Sequence, residues 1–290
     1  MVRNILYLLV CISMVLSCGM RQDQDEQPGK LLIVYTDWAE SIAMTHLAQV
    51  LLERDLGYEV AVKLTDVEGV FNEISTSTAD LFLDTWLPST HSEYYDRYQN
   101  TIEDLGPNYK KARTGLVVPE YMLIKEIGQI TDYYHQPIAG VDSAAGIMRY
   151  ARQAIQDYGL ANELLVLSDG DMAERLEEAI KRREDIVVTG WEPHWLFHRY
   201  DLKYLEDPQN IFMAQEQIHT IARKGFMDDN PAASIFFERM ILTEDQMNSL
   251  LFEMNLQDDP LIGVKNWIEK NEFIVNQWTR GLGVDRQKIM

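Results

Sequence analysis

Two short segments, each with a tryptophan close to a proline directly after an apolar run, constrain the fold more than any other feature of this chain. Residues 84–91 read DTWLPSTH, and residues 189–195 read TGWEPHW. Each follows an apolar run with the length of a buried strand. Trp86 and Trp191 are therefore predicted to lie at the ends of two strands and to face each other across a crevice.

The segment before Trp86 predicts alternating strands and helices. Its apolar runs predict three strands, at 31–35, 58–64 and 81–83. Gly57 is placed to end the first intervening helix, and Asp66 is placed to cap the second. This order predicts a parallel sheet flanked by helices.

The same order recurs before Trp191, without repetition of the sequence itself. Three further strands are predicted, at 138–141, 164–167 and 186–189. Asp142 or Ser143 is expected to cap the first helix between them, and Ser168 is expected to cap the second with Asp171. The chain thus contains two units of similar architecture, and each ends in a tryptophan turn.

The C-terminal part is predicted to be helical. Pro231 suits a helix start, Thr243 and Gln246 form a capping box, and a further helix is predicted over about 261–277. Residues 218–223 predict a strand that returns the chain to the first unit. The whole indicates an α/β fold of two lobes around a hinged cleft, with the ligand site at the strand ends between them.

The N-terminus has the features of a targeting signal. Arg3 precedes an apolar run at 5–16, which is shorter than the about 20 residues that a spanning helix needs. The sequence VLSC ending at Cys18 resembles the lipobox of bacterial lipoproteins, so Cys18 is predicted to carry a lipid anchor. Ordinary cleavage beside an incidental cysteine remains the alternative. Because Cys11 lies within the signal, no thiol is left for a disulfide or a metal site.

These features give a predicted division of the chain. The expected parts are a signal peptide at 1–17, a flexible tether at 18–29, a first lobe at 30–116 with 218–290, and a second lobe at 117–217.

The charge balance and the missing motifs exclude several functions. The chain has 46 acidic and 26 basic residues, and such a surface repels nucleic acid. No phosphate-binding loop, nucleophile elbow or metal-spaced histidine pair occurs in the sequence. A triad of Asp84, His91 and Ser143 has no support from spacing. We therefore predict neither an enzyme nor a bound cofactor or metal, and a purely structural lipoprotein would not need tryptophans at two strand ends.

Six segments, in order, carry a family resemblance. They are YTDW at 35–38, residues 84–91, GLVVP at 115–119, GVDSAAG at 140–146, residues 190–195, and IHTIARKGF at 218–226. Through them the chain resembles, from about residue 30 to residue 277, the glycine betaine/carnitine/choline-binding proteins of ABC-type osmolyte uptake systems. The resemblance implies a two-lobed periplasmic-binding-protein-like fold of type II.

The resemblance also implies a binding site. Its aromatic cage for a trimethylammonium group corresponds to Trp38, Trp86 and Trp191, hereafter the cage. The ring faces of such a cage attract a cation that has no N–H to donate. The ligand carboxylate is expected to bind His91 and the backbone N–H groups around Gly140 and Val141, which precede a predicted helix start.

The implied function is capture of glycine betaine and its delivery to an ABC permease with its ATPase. Choline and carnitine are the alternative ligands. The lipid anchor implies a membrane-attached protein that faces the periplasm or the cell exterior.

Several of the candidate residues have a second interpretation. Trp38 can be a core aromatic, and His91 can cap a helix or pair with Glu93. His194 and Trp195 are expected to support the site from behind. Asp37 and Glu40 either add negative charge near the cation or are solvated or salt-bridged. Trp267 and Trp278, on terminal helices, are expected to be structural.

Overall fold

The computed structural model describes residues 29–212 and 215–283. The predicted signal peptide, nearly all of the tether and the lipidation at Cys18 lie outside these residues and remain predictions. No helix in the described part is long and apolar enough to span a membrane.

Nine strands form one continuous sheet in the described part of the chain. They are β1 (Lys30–Tyr35), β2 (Glu59–Leu64), β3 (Leu81–Leu87), β4 (Ile102–Pro119), β5 (Ile138–Ala139), β6 (Leu164–Leu165), β7 (Val188–Glu192), β8 (Leu202–Tyr204) and β9 (Glu216–Arg223).

Helices cover the sheet. They are α1 (Ala39–Leu51), α2 (Val67–Ser75), α3 (Ser92–Tyr98), α4 (Ile130–Tyr133), α5 (Gly146–Asp157), α6 (Asp169–Arg182), α7 (Leu196–Arg199), α8 (Phe226–Asp229), α9 (Pro231–Arg239), α10 (Glu244–Asn255), α11 (Pro260–Lys270) and α12 (Glu272–Thr279). Helix α1 continues into a π-helical turn, Leu52–Leu56, and Gly57 follows it with a φ of 83°.

The strand order shows the predicted two-lobed α/β architecture. In the first lobe β1 is central and pairs in parallel with β2 and β3. In the second lobe β5 is central and pairs in parallel with β6 and β7. Each tryptophan-bearing strand, β3 or β7, then pairs antiparallel with a long return strand, β9 or β4. The residue numbers at which one lobe ends and the other begins stay a prediction from the sequence.

Strand β4 joins the two lobes, and no strand was predicted for any part of it. Its residues from Ile102 to Ala112 pair with β9, and those from Arg113 onward pair with β7 and then with β8. The pairing with β9 is interrupted by register shifts around Pro107 and Tyr109. These irregularities, with Gly106 at a φ of 97°, hide the alternation by which a strand is read from sequence.

Most helix signals were read correctly. Asp66 caps α2 by accepting the Gly69 N–H, and Ser168 caps α6 by accepting the Asp171 N–H. The Thr243–Gln246 capping box starts α10.

Two helix predictions were wrong in their boundaries. Helix α5 starts at Gly146 with Ala145 as its N-cap, not at Asp142 or Ser143. The Asp142 carboxylate accepts the Ala144 N–H within the preceding turn instead. The helix predicted over 261–277 is two helices, α11 and α12, which are separated at Asn271.

Candidate ligand-binding site

A cavity of about 310 Å³ lies between the two lobes. The residues that line it come from both lobes: Trp38, Glu40, Trp86, Thr90, His91, Thr114, Val141, Ala145, Gly146, Ile147 and Trp191. The structure thus brings the three indoles of the cage, His91 and Val141 to one place.

Trp86 and Trp191 occupy equivalent positions, each near the end of a strand that borders the cavity. Trp86 in β3 lies opposite Ile218 of β9, and Trp191 in β7 lies opposite Thr114 of β4. Both side chains are buried, at 3% and 5% exposure. Each strand is followed at once by a cis X-Pro bond, Leu87-Pro88 or Glu192-Pro193. The two strand ends meet between the lobes, as predicted from the two motifs.

Trp38 enters from the start of helix α1, where it is the N-cap residue. Its ring is stacked on the imidazole of His91, with 5.8 Å between ring centroids and 20° between ring planes. The Trp38 side chain lines the cavity and is only 8% exposed, so it is largely shielded from solvent.

His91 presents a single donor to the cavity. The backbone N–H of Trp86 donates to His91 Nδ1 at 3.0 Å, so Nδ1 is an acceptor and the ring proton of the neutral imidazole is on Nε2. The buried Nε2 has no hydrogen-bond partner among the described residues. An unpartnered buried donor in a cavity wall is suited to an acceptor on a ligand.

The imidazole of His91 stays neutral at physiological pH. Burial, and next the nearby positive charge of Arg149, lower the pKa of His91 to about 3. Neither the helix-capping role nor the pairing with Glu93 is formed, since no cap hydrogen bond is made and Glu93 pairs with Arg149.

We expect His91 to make the fold less stable as the pH falls below about 6.5, its ordinary pKa. Between that value and the folded-state pKa of about 3, the unfolded chain binds a proton that the folded chain does not. The free energy of unfolding should therefore fall by up to about 1.4 kcal/mol per pH unit from this residue. Urea denaturation at several pH values should give a shallower slope for His91→Gln than for the wild type. Parallel slopes would contradict a buried neutral imidazole.

The backbone donors nearest the cavity differ from those predicted. The Gly140 N–H donates to Leu165 O at 3.1 Å within the sheet, and the Val141 N–H points at Met148 Sδ at 3.3 Å. Val141 lines the cavity and Gly140 does not, and both N–H groups already have acceptors, which does not favour the expectation that they hold a carboxylate. A Cβ on Gly140 would lie 2.4 Å from Met148 Sδ, so close packing requires glycine there.

The first residues of helix α5 lie at the cavity wall. Gly146 and Ile147 line the cavity, and the first N–H groups of a helix have no intrahelical acceptor. A helix N-terminus also attracts negative charge. The sequence contained this signal in the GVDSAAG segment, but the helix cap was predicted two or three residues too early, at Asp142 or Ser143 and not at Ala145.

Two buried carboxylates hold two of the indoles. Glu40 Oε2 accepts the Trp191 Nε1–H at 2.9 Å, and Asp84 Oδ1 accepts the Trp86 Nε1–H at 2.8 Å. Glu40 is 2% exposed and Asp84 1%. Glu40 is thus neither solvated nor salt-bridged, whereas Asp37 is exposed and does not line the cavity.

Further hydrogen bonds connect the two lobes around the cavity. Arg149 of α5 donates to Glu93 of α3 at 2.6 Å and to the Ser89 carbonyl at 3.3 Å. On the other side, the Ala39 N–H of α1 donates to Asp169 Oδ2 of α6 at 3.3 Å. The structure therefore shows the lobes in contact on both sides of the cage.

The remaining aromatic and histidine predictions concern support. His194 Nδ1 accepts the Leu196 N–H, so its Nε2 donates to Asp169 at 3.1 Å. Its ring contacts the ring of Trp191 edge to face, with 4.8 Å between centroids, and Trp195 packs on His194 from behind. Trp267 and Trp278 are buried and stack on each other in the C-terminal helices.

The cavity and the fold together define a class of protein. Two α/β lobes that enclose a pocket lined by three indoles are typical of a binding protein. Residues 29–270 match the family described as the substrate-binding domain of the ABC-type glycine betaine transport system. The chain belongs to this family, which comprises transport substrate-binding proteins and not enzymes.

Individual relatives agree with this assignment. The chain is 38% identical over 174 residues to the glycine betaine/carnitine transport binding protein GbuC of Listeria monocytogenes serotype 1/2a (strain 10403S), a match that covers 59% of this chain and 57% of GbuC. The chain therefore matches somewhat more than half the length of that protein.

Two solved structures are similar over most of the chain. Lactococcal OpuAC, in its closed-liganded conformation with glycine betaine, superposes with a TM-score of 0.81 at 33% identity and covers 87% of this chain and 100% of its own. The glycine betaine, L-proline-binding protein ProX of Borrelia burgdorferi superposes with a TM-score of 0.80 at 30% identity and covers 86% and 96%.

Proposed function

We propose that this protein captures glycine betaine in the cleft between its lobes and delivers it to an ABC permease. The observation that carries the proposal is that one cavity combines three indoles with donors for an anion. The indoles of Trp38, Trp86 and Trp191 suit a trimethylammonium group. The Nε2–H of His91 and the first amides of α5 suit a carboxylate. Glycine betaine carries these two groups one methylene apart.

The magnitudes support micromolar binding. A desolvated cation–π contact contributes up to about 2 kcal/mol, and each charge-assisted hydrogen bond contributes about 1.5–3 kcal/mol. After the cost of immobilising the ligand, the about −8 kcal/mol of micromolar affinity is within reach.

The cavity distinguishes among ligands of this kind. Choline has no carboxylate and would leave the His91 donor and the α5 amides unused. Carnitine also carries a trimethylammonium group and a carboxylate, but a longer chain separates them than in glycine betaine. Choline or carnitine remains the second candidate, because the cage itself suits any trimethylammonium group.

Ligand binding is expected to favour contact between the lobes. The cage and the carboxylate donors are divided between the lobes. Trp38, Trp86 and His91 come before strand β4 and lie in the first lobe. Trp191 and the start of α5 come after β4 and lie in the second lobe. A ligand that touches both sets stabilises the closed arrangement, which a permease can recognise. A lipid on Cys18 would keep the protein at the membrane.

Isothermal titration calorimetry with glycine betaine, choline, carnitine and proline betaine tests the proposal on the full mature chain. We expect micromolar binding of glycine betaine and weaker binding of choline. Binding of choline alone would overturn the choice of ligand, and binding of none would overturn the transfer of function from the family.

A further inference from the structure

Two carboxylates lie directly behind the cage. Glu40, in the first turn of α1, and Asp84, in β3, accept the indole N–H groups of Trp191 and Trp86. The Glu40–Trp191 hydrogen bond links the two lobes, and Glu40 is itself part of the cavity wall. Hydrogen bonds from the side chains of Trp86 and Ser41 favour the charged form of Asp84.

The two carboxylates affect each other. Burial, followed by repulsion from Asp84, raises the pKa of Glu40, and burial raises the pKa of Asp84. Two neighbouring buried carboxylates rarely ionise together, and such a pair commonly shares one proton. The indole N–H of Trp191, the nearby His194 and the backbone N–H of Glu40 itself each favour a negative charge on Glu40.

This charge is placed to act on the contents of the cage. Apart from His194, which favours the charge on Glu40, no basic group of the described chain is among those that shift the pKa of either carboxylate, so no lysine or arginine neutralises the pair. A carboxylate that accepts an indole N–H also polarises the ring and makes its face more negative. Both effects favour a cation at the ring faces.

Building on the function proposed above, we propose that Glu40 and Asp84 determine specificity. They hold the indoles of Trp191 and Trp86 in place, and they provide the negative charge that selects a permanently charged trimethylammonium group over a neutral group of the same shape. Their effect passes through the cage, so Asp84 is a positioning residue and Glu40 has both roles.

A neutral isostere separates charge from shape. In 3,3-dimethylbutyrate a carbon atom replaces the ammonium nitrogen of glycine betaine, and the carboxylate is kept. Glu40→Gln and Asp84→Asn each keep an oxygen that can accept the indole N–H but remove the carboxylate. Glu238→Gln, at an exposed position of α9, removes the same formal charge far from the cage and is the matched control.

Titrations of the full mature chain, followed by calorimetry and by tryptophan fluorescence, should show a selective loss. We expect Glu40→Gln to weaken glycine betaine about tenfold and to leave the isostere within about twofold. Glu238→Gln should change neither. An equal loss for both ligands in Glu40→Gln and Asp84→Asn would overturn the specificity role and leave a purely structural one. Absence of betaine binding by the wild type would instead overturn the proposed function and this inference with it. If Glu40→Gln does not fold, the same comparison is decided by Asp84→Asn.

Discussion

Replacing Trp86 by alanine is expected to abolish glycine betaine binding while the protein stays folded. The lost cation–π contact is worth about 2 kcal/mol, or about thirtyfold in affinity. The lost contacts with the ligand methyl groups add to this, so affinity should fall by more than about a hundredfold. The backbone of residue 86 remains paired with β9, and for this reason we expect the lobe to persist.

Trp195→Ala is the matched control for this experiment. Trp195 is half-buried next to His194 and does not line the cavity, so calorimetry should find its betaine affinity within about twofold of the wild type. Circular dichroism and thermal unfolding check that both variants fold. A Trp86→Ala protein with unchanged affinity would remove Trp86 from the site.

Gly146→Ala is expected to weaken binding by keeping the lobes apart. A Cβ on Gly146 would lie 2.1 Å from the carbonyl oxygen of Thr90 and 2.6 Å from its Cγ2. Thr90 belongs to the turn after β3, in the other lobe from α5. A clash with backbone costs about 1–3 kcal/mol, and separation of the lobes relieves it, so affinity should fall about tenfold to a hundredfold.

The same variant should not destabilise the unliganded protein. Alanine is a better helix former than glycine by about 1 kcal/mol, and Gly146 is the first residue of α5. Thermal unfolding without ligand should therefore be unchanged or slightly higher, and small-angle scattering should show less compaction on adding betaine.

Gly170→Ala provides the comparison for Gly146→Ala. Its Cβ, on the second residue of α6, would approach nothing closer than Ser168 Oγ at 3.9 Å, so wild-type affinity is expected. If Gly146→Ala bound betaine as the wild type does, contact between Thr90 and α5 would not be needed for binding.

Sequence reasoning worked best where structure is local. The cap at Asp66 and the capping box at Thr243 formed as predicted, and Ser168 caps α6 through one half of its predicted capping box with Asp171, because a cap needs neighbours within about three residues. The order of strands and helices before each tryptophan was likewise correct, since apolar periodicity reports which face of a short element is buried.

The errors arose where the backbone departs from regular geometry. The long strand β4 was missed because its pairing with β9 contains several register shifts. The start of α5 was predicted at Asp142 or Ser143, which are residues that usually cap helices. Here Asp142 closes a turn instead, and the helix begins later, at the glycine that passes Thr90 most closely.

The binding site, too, was predicted in part and missed in part. The sequence motifs pointed to Trp38, Trp86, Trp191 and His91, and all four line one cavity. The sequence offered Glu40 as a negative charge near the cation, but it did not show the hydrogen bond between Glu40 and Trp191, because 151 residues separate the two. A hydrogen bond over such a separation leaves no periodic signal in the chain.

The sequence by itself determined the two strand–helix units, their tryptophan turns and the family, since these depend on short segments and on their order. Only the tertiary structure decided which N–H groups face the cavity, which proton His91 presents and which carboxylates stand behind the indoles. The Glu40–Trp191 hydrogen bond joins residues of both lobes. The contacts of Asp84 and His91 with Trp86, although close in sequence, need the geometry that the strand end and its turn adopt in the folded chain.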